Sequence, residues 1–429
     1  MKIGIVTTWF ERGAAYVSRQ YRDVLAKEHE VFIYARGGES YAQGDPNWDT
    51  PDVTWGRQLP SKVPTEMCLK DFEHWIRAHQ IELLIFNEQW WWPAVAHANA
   101  LGVITCAYID YYTETTVPFF GIYDRLICNT KRHLSAFDWH PGAVFVPWGT
   151  DVSVFKPQAR PASASADKQE VVFFHSAGIS PGRKGTDLLL SAFAHVRGPA
   201  KLLIHIQRDL KKALPEQAAL IDQLRTEGRL ETEERTVTAP GLFHLGDVYV
   251  YPTRLEGIGL TIMEAAACGL PVIVTDAPPM NEFIRHEHNG RLVKVARHIA
   301  RADGYLWPQA IVDVASLTEA LQWYVDHPQQ LSTCKAQARA HAEQHFDWQR
   351  AGESLLQALA TARKRPVTDA DALRGRIADY TEQQRLQNRI SGNLWLRMWL
   401  SYRTPGLLAL LKGLRDFLTG KPLKKAAAP

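Results

Sequence analysis

Two carboxylates and two glycines fall close together in the stretch from Asp247 to Asp276, which reads DVYVYPTRLEGIGLTIMEAAACGLPVIVTD. Gly257 and Gly259 let main-chain N–H groups approach a ligand, and the run of helix formers that begins at Leu260 adds the positive end of a helix dipole. The turn from Glu256 through Gly257, Ile258 and Gly259 to Leu260 therefore suits an anion such as a diphosphate. Glu264 falls about one turn into the helix. Its two oxygens suit the paired hydroxyls of a ribose. Glu256, on the turn itself, is placed for a hydroxyl of a sugar beyond the phosphates. A second cluster, Ser176 to Gly185 (SAGISPGRKG), puts Gly178, Arg183 and Lys184 in a glycine-rich loop. Such a loop after a strand cradles phosphate by charge and by geometry. The bland alternative is an ordinary βαβ unit with solvated glutamates and a surface lysine, because a fold unit by itself licenses no function.

The elements that must hold these residues are legible. Asp247 to Pro252 alternates and is rich in Val and Tyr, as in a strand. A helix follows to Cys268, Gly269 stands at its C-cap, and Pro271 opens a second strand, PVIVT. This strand–turn–helix–strand unit builds an open parallel sheet, on which ligands sit at the carboxyl ends of the strands. The chain opens in the same way, with strands at 2–8 and 29–35 around a helix at 14–27. Further strands are expected at 82–86, 104–109, 171–175 and 201–207, and helices at 186–196, 317–325, 329–345 and 351–362. The segment 298–314, with Trp307 and Pro308, reads as a surface loop, with contact to a ligand through its basic and aromatic side chains as the alternative. The run Trp90-Trp91-Trp92 reads first as aromatic packing at a loop–helix junction, with stacking on a sugar ring as the alternative.

Glu256 and Glu264, with seven residues between them and AAACGLPVIVTDAPPMNE behind, resemble the E-x7-E signature of the retaining enzymes of glycosyltransferase family 4. The match runs from EGIG through MEAAACGLPVIVTD to Glu282. The resemblance implies an α/β chain with the GT-B fold: two Rossmann-like domains with parallel sheets facing across a cleft. Residues 1–157 would form the acceptor-side domain and 168–363 the nucleotide-sugar domain, joined by an Ala-, Ser- and Pro-rich linker. It further implies a UDP- or GDP-sugar donor, a glycan or lipid-linked acceptor, and transfer with retention. Lys184 matches the family's phosphate-binding lysine, whereas the family's arginine position falls on Ile179, leaving Arg183 as a substitute. The family's His-Asp pair is reduced to Asp110, since Ile109 stands where the His would be. Of a glycine pair in the first loop only Gly13 is present, after Arg12, whose guanidinium either stands where the family relies on backbone or is solvated. The implied site is thus Glu256, Arg183, Lys184 and Asp110 for chemistry, with Gly13, Gly178, Gly257, Ile258, Gly259, Leu260 and Glu264 around the donor.

A chain of 429 residues is long enough for two domains and an appendage. Five cysteines without a C-x-x-C pair argue against a disulfide framework or zinc site. No metal or other cofactor is expected, because Arg183, Lys184 and the helix terminus can neutralise a diphosphate. Asp369 and Asp371 form a D-x-D in a charged linker and read as solvated. The appendage, 366–429, is basic: from Arg385 onward nine Lys and Arg face one acid, Asp416. Within it, Leu407, Leu411, Leu414 and Leu418 share one helical face. That pattern fits a helix lying in an anionic membrane surface through residues 393–425, with dimerisation or packing on the first domain as alternatives. The expected protein is cytoplasmic, peripheral at the inner face of the membrane, and does not bind nucleic acid. Two rival functions share the fold: a nucleotide-sugar isomerase or hydrolase, and a non-catalytic binding protein.

Overall fold

The computed structural model describes residues 1–37, 41–60, 63–159 and 170–392. Short aliphatic runs bounded by turn residues become strands buried on both faces, as parallel strands under helices should be. The first half runs β1 (Lys2–Thr7), α1 (Gly13–Leu25), β2 (Glu30–Ala35), β3 (Val53–Trp55), α2 (Leu69–His79), β4 (Leu83–Asn87) and α3 (Pro93–Ala100). It continues with β5 (Ile104–Tyr108), β6 (Arg125–Cys128), α4 (Lys131–Ala136) and β7 (Ala143–Phe145). These strands form one parallel sheet in the order β3-β2-β1-β4-β5-β6-β7.

The second half runs β8 (Val171–Gly178), α5 (Thr186–Phe193), β9 (Ala200–Ile206), α6 (Leu210–Ala213), α7 (Ala218–Thr226) and β10 (Leu230–Glu234). Then come β11 (Val248–Tyr251), α8 (Leu260–Ala267), β12 (Val272–Thr275) and β13 (Gly290–Val293), giving a second parallel sheet, β10-β9-β8-β11-β12-β13. Both strand orders reverse once, between β1 and β4 and between β8 and β11. Crevices open at such switch points. The loops holding Gly13, Glu88, Arg183 and Glu256 leave from the carboxyl ends of these four strands.

The segment expected to be a surface loop is instead an antiparallel pair, β14 (Val295–Ile299) and β15 (Gln309–Val312). Its tip crosses to the first domain, where Tyr305 bridges Thr113 and the Leu306 N–H donates to the Tyr112 carbonyl at 3.0 Å. The four short strands β3, β7, β10 and β13 also add to the expected set.

After β15 the chain forms α9 (Val314–Asp326), α10 (Leu331–His345) and α11 (Trp348–Ala360). The last of these returns to the first domain. There Trp348 stacks on Tyr21 at 6.2 Å and its N–H donates to the Thr150 carbonyl at 3.0 Å. The appendage begins with α12 (Ala370–Gly392), which lies on the first domain: Leu373 and Ile377 are buried, and Tyr380 meets Phe119 edge-on at 5.4 Å. Arg385, the first of the nine basic residues, pairs with Glu66 at 3.0 Å. The expected membrane-surface segment, 393–425, lies outside the described residues, as does most of the linker. Among the described residues no helix is long and apolar enough to cross a membrane.

Candidate active site

The β8 and β11 loops are locked together. Gly185 has φ +73°, and a Cβ there would stand 2.0 Å from the Pro252 carbonyl oxygen, so only glycine lets the loop lie against the exit of β11. Arg254 ties the same loops, donating to both Asp187 oxygens at 2.8 and 2.7 Å and to the Gly182 carbonyl. This packing delivers Arg183 and Lys184 to Glu256. One Glu256 oxygen accepts from Arg183 at 2.8 Å, Lys184 at 2.9 Å, Tyr251 at 2.9 Å and Thr253 at 2.7 Å. The side chain is buried. Burial alone would raise its carboxyl, but the charges of Lys184 and Arg183 override it and hold the group at about 2. Burial depresses the Lys184 ammonium, and Glu256 opposes that shift.

Glu264 has different surroundings. It lines a cavity of about 220 Å³ with Ser176, His205, Thr238, Pro240 and Leu242. Burial pushes its carboxyl up to about 7, with Lys184 pulling weakly the other way. Between the two glutamates, Gly259 caps α8 with φ +93° and Ile258 is buried. The N–H groups of Gly257, Ile258, Gly259 and Leu260 donate to no described protein acceptor. Four such donors at the head of a helix are the chemistry an anion would need.

The first domain supplies the facing wall. Gly13 opens α1, and a Cβ there would meet nothing, so no contact demands glycine. Gly178 likewise has open space around it, with φ +55°. Arg12 is not simply solvated: it pairs with Glu88 at 3.1 Å. Asp110 lies beside Glu88 and against the donor-side turn, since a Cβ on Gly257 would be 2.8 Å from its Oδ1. Burial and the Glu88 carboxylate raise Asp110 to about 7. Trp91 and Trp92 are packed, Trp92 edge-on against Phe120 at 4.9 Å, whereas Trp90 is half-buried against Tyr111 at 5.3 Å.

Sequence reasoning missed Arg132 and His133. Arg132, nearly fully buried, donates to the Pro278 carbonyl at 2.9 Å and to the Glu256 carbonyl, and its guanidinium lies 5.7 Å from the Trp307 ring. The Nε2 of His133 donates to the Gly257 carbonyl at 3.1 Å. The Glu282 carboxylate accepts from the N–H groups of Lys131 and Arg132 at 2.6 and 2.9 Å. The available signal was a pair of basic residues just past the carboxyl end of β6, with Thr130 as their N-cap.

Two facing parallel sheets with a phosphate-type turn on the second are the expected frame, and comparison with known proteins finds a family match on the second domain. Residues 169–306 match the family described as glycosyl transferases group 1. The second domain is a group 1 glycosyltransferase domain. A curated relative of this chain is the GDP-mannose-dependent monoacylated alpha-(1-6)-phosphatidylinositol monomannoside mannosyltransferase of Corynebacterium glutamicum. It is 29% identical over 246 residues, 53% of this chain and 59% of that protein. D-inositol 3-phosphate glycosyltransferase of Rhodococcus erythropolis is 29% identical over 260 residues, 56% of this chain and 54% of the other. The chain thus spans about half the length of the curated relatives it matches. Among solved structures, Anabaena HepE in complex with UDP-glucose superposes with a TM-score of 0.64 at 16% identity, covering 84% of this chain and all of that one. The fold around the group 1 domain is GT-B.

Proposed function

We propose that this chain is a glycosyltransferase moving a sugar, with retention, from a nucleotide-sugar donor to a glycan or lipid-linked glycan acceptor. The observation that carries the reading is the group 1 domain's pair of opposed sites joined by open main-chain donors. The Glu264 cavity suits the nucleoside, its carboxylate taking the ribose hydroxyls. The N–H groups from Gly257 to Leu260, with Lys184 and Arg183, suit the diphosphate. Glu256 is held in ionised form beside the phosphates, where it can position the donor sugar.

In the proposed step the acceptor oxygen bonds to the anomeric carbon on the face from which the diphosphate leaves. The breaking C–O bond leaves its electron pair on the diphosphate, which also takes the acceptor's hydroxyl proton. Lys184, Arg183 and the open N–H groups stabilise the growing negative charge, and such preorganised donors are usually the largest catalytic contribution. Asp110 faces the turn from the acceptor side. One matched relative is named for a phosphatidylinositol monomannoside, which supports a lipid-linked acceptor here, and HepE's complex with UDP-glucose supports a nucleotide-sugar donor. The test is a screen of radiolabelled UDP- and GDP-sugars against membrane lipid extract and against oligosaccharides. Product with the donor's anomeric configuration is the expected result; release of free sugar or an epimer without acceptor sinks the reading.

A further inference from the structure

Arg132 and His133 sit on α4 in the first domain, yet each donates a hydrogen bond to the turn of the second. The acceptors are consecutive carbonyls: Glu256 takes a bond from the Arg132 guanidinium and Gly257 takes one from His133 Nε2 at 3.1 Å. A trans peptide holds its C=O antiparallel to the following N–H. Turning these two carbonyls toward α4 therefore turns the N–H groups of Gly257 and Ile258 away from it. These are two of the four donors that find no described acceptor.

The two side chains are themselves held in place. The Tyr112 hydroxyl donates to His133 Nδ1 at 2.8 Å, and its oxygen accepts from the Trp307 indole at 2.6 Å. That chain fixes the tautomer that can donate from Nε2. Burial and the neighbouring Arg132 charge depress His133 to about 3, so the ring stays neutral at physiological pH. Arg132 is anchored at the Pro278 carbonyl, and Glu282 holds the start of α4 from the second domain. The hydrogen-bond chain runs from hairpin to first domain to turn, so both domains must be in contact for it to exist.

We propose that Arg132 and His133 are positioning residues of the donor site. They orient the main-chain donors of the 256–259 turn for the diphosphate of a nucleotide sugar, so that the anion site is complete only when the first domain is docked. The proposal rests on the glycosyltransferase reading and extends it: the site assigned to the group 1 domain is a two-domain site. By linkage, diphosphate binding then favours the docked arrangement as much as docking favours binding.

The experiment uses the full chain with UDP, GDP, uridine and guanosine as probes, by calorimetry for the nucleotides and saturation-transfer NMR for the nucleosides. Arg132→Ala is expected to weaken the nucleoside diphosphate that wild type binds by roughly tenfold or more, as for loss of a charge-assisted hydrogen bond. Binding of the matching nucleoside should stay within about twofold, because nothing in its pocket has changed. His133→Ala should weaken the diphosphate in the same way, and His133→Gln, which keeps an N–H donor, should recover most of the loss. Unchanged diphosphate binding in both alanine variants overturns the proposal. So does an equal loss for nucleoside and diphosphate, which marks a structural role. Wild-type protein that binds neither UDP nor GDP contradicts the glycosyltransferase reading itself, which separates the two failures.

Discussion

Glu256 and Glu264 carry the same side chain on the two ends of one short segment, and the protein treats them oppositely. Around Glu256 every near neighbour is a donor: two cations, a phenol and a threonine hydroxyl converge on one oxygen. Around Glu264 the cavity wall is largely apolar or hydroxylic and the nearest cation only tugs at a distance. One carboxyl is accordingly held at about 2 and the other raised to about 7. Burial is shared, so neighbours decide the difference. Glu256 is a fixed charge around which Lys184 and Arg183 are arranged, whereas Glu264 has no such partner at its carboxylate among the described residues.

Removing the cation that serves both ends should have the largest effect. Lys184→Ala leaves a buried carboxylate with one fewer partner and takes a charge from the diphosphate. The expected loss in kcat/KM is roughly a hundred- to a thousandfold, the range for a single lost electrostatic donor. Binding of a free nucleoside diphosphate should weaken as well, measured by calorimetry. If neither changes, the loop from Gly178 to Gly185 is only structural.

Replacing the glutamates should split the kinetics. Glu256→Ala is expected to lower turnover, and Glu264→Ala to weaken nucleotide-sugar binding, each by roughly ten- to a hundredfold. Steady-state rates and titrations on both variants check the split, and identical profiles for the two would erase the contrast.

The pH dependence of stability gives a further contrast. Glu264 is raised on folding, so its stabilising contribution is fully present below about 4.5 and is lost as pH rises through about 7. Glu256 is lowered, so its contribution is present above about 4.5 and is lost as pH falls through about 2. Glu264→Gln should therefore flatten the decline in Tm between pH 5 and 7, roughly the interval between the two Glu264 values, without altering the acid limb. Thermal unfolding across a pH series reads this directly; an unchanged slope would remove the raised carboxyl from the account.

The smallest effect is expected at Gly13. A methyl group there meets nothing, so Gly13→Ala should change stability by less than about 1 kcal/mol, in the stabilising direction for a helix start. Its donor affinity should stay at the wild-type value, measured by the same titration. A large loss would mean that a ligand approaches this glycine closely.

The second domain was the more legible half for a physical reason. In Asp247–Asp276 every local signal agrees: alternation, then glycines, then helix formers, then a capping glycine before Pro271. The first domain's contribution is a matter of long-range contact. Arg132 reaches a carbonyl 124 positions away, and no spacing in one dimension brings the two together. The hairpin was hidden because β14 is exposed along most of its length, so it carries no apolar alternation, and its role lies at the tip. Asp110 was legible by position at the end of β5. Its neighbour Glu88 was not, since only the fold sets the ends of β4 and β5 side by side. Arg12 was open to a solvated reading, yet it is paired with Glu88.

The central claim is that the Glu256–Glu264 segment holds a nucleotide sugar, and a thermal-shift screen of UDP-, GDP- and ADP-sugars tests it most directly. A ligand that binds only the folded protein raises the apparent Tm by an amount that grows with the logarithm of its concentration over Kd. The account predicts a clear rise in wild type with at least one of the three, reduced in Glu264→Ala and in Lys184→Ala. No rise with any of them in wild type, or a rise that both variants keep in full, would contradict it.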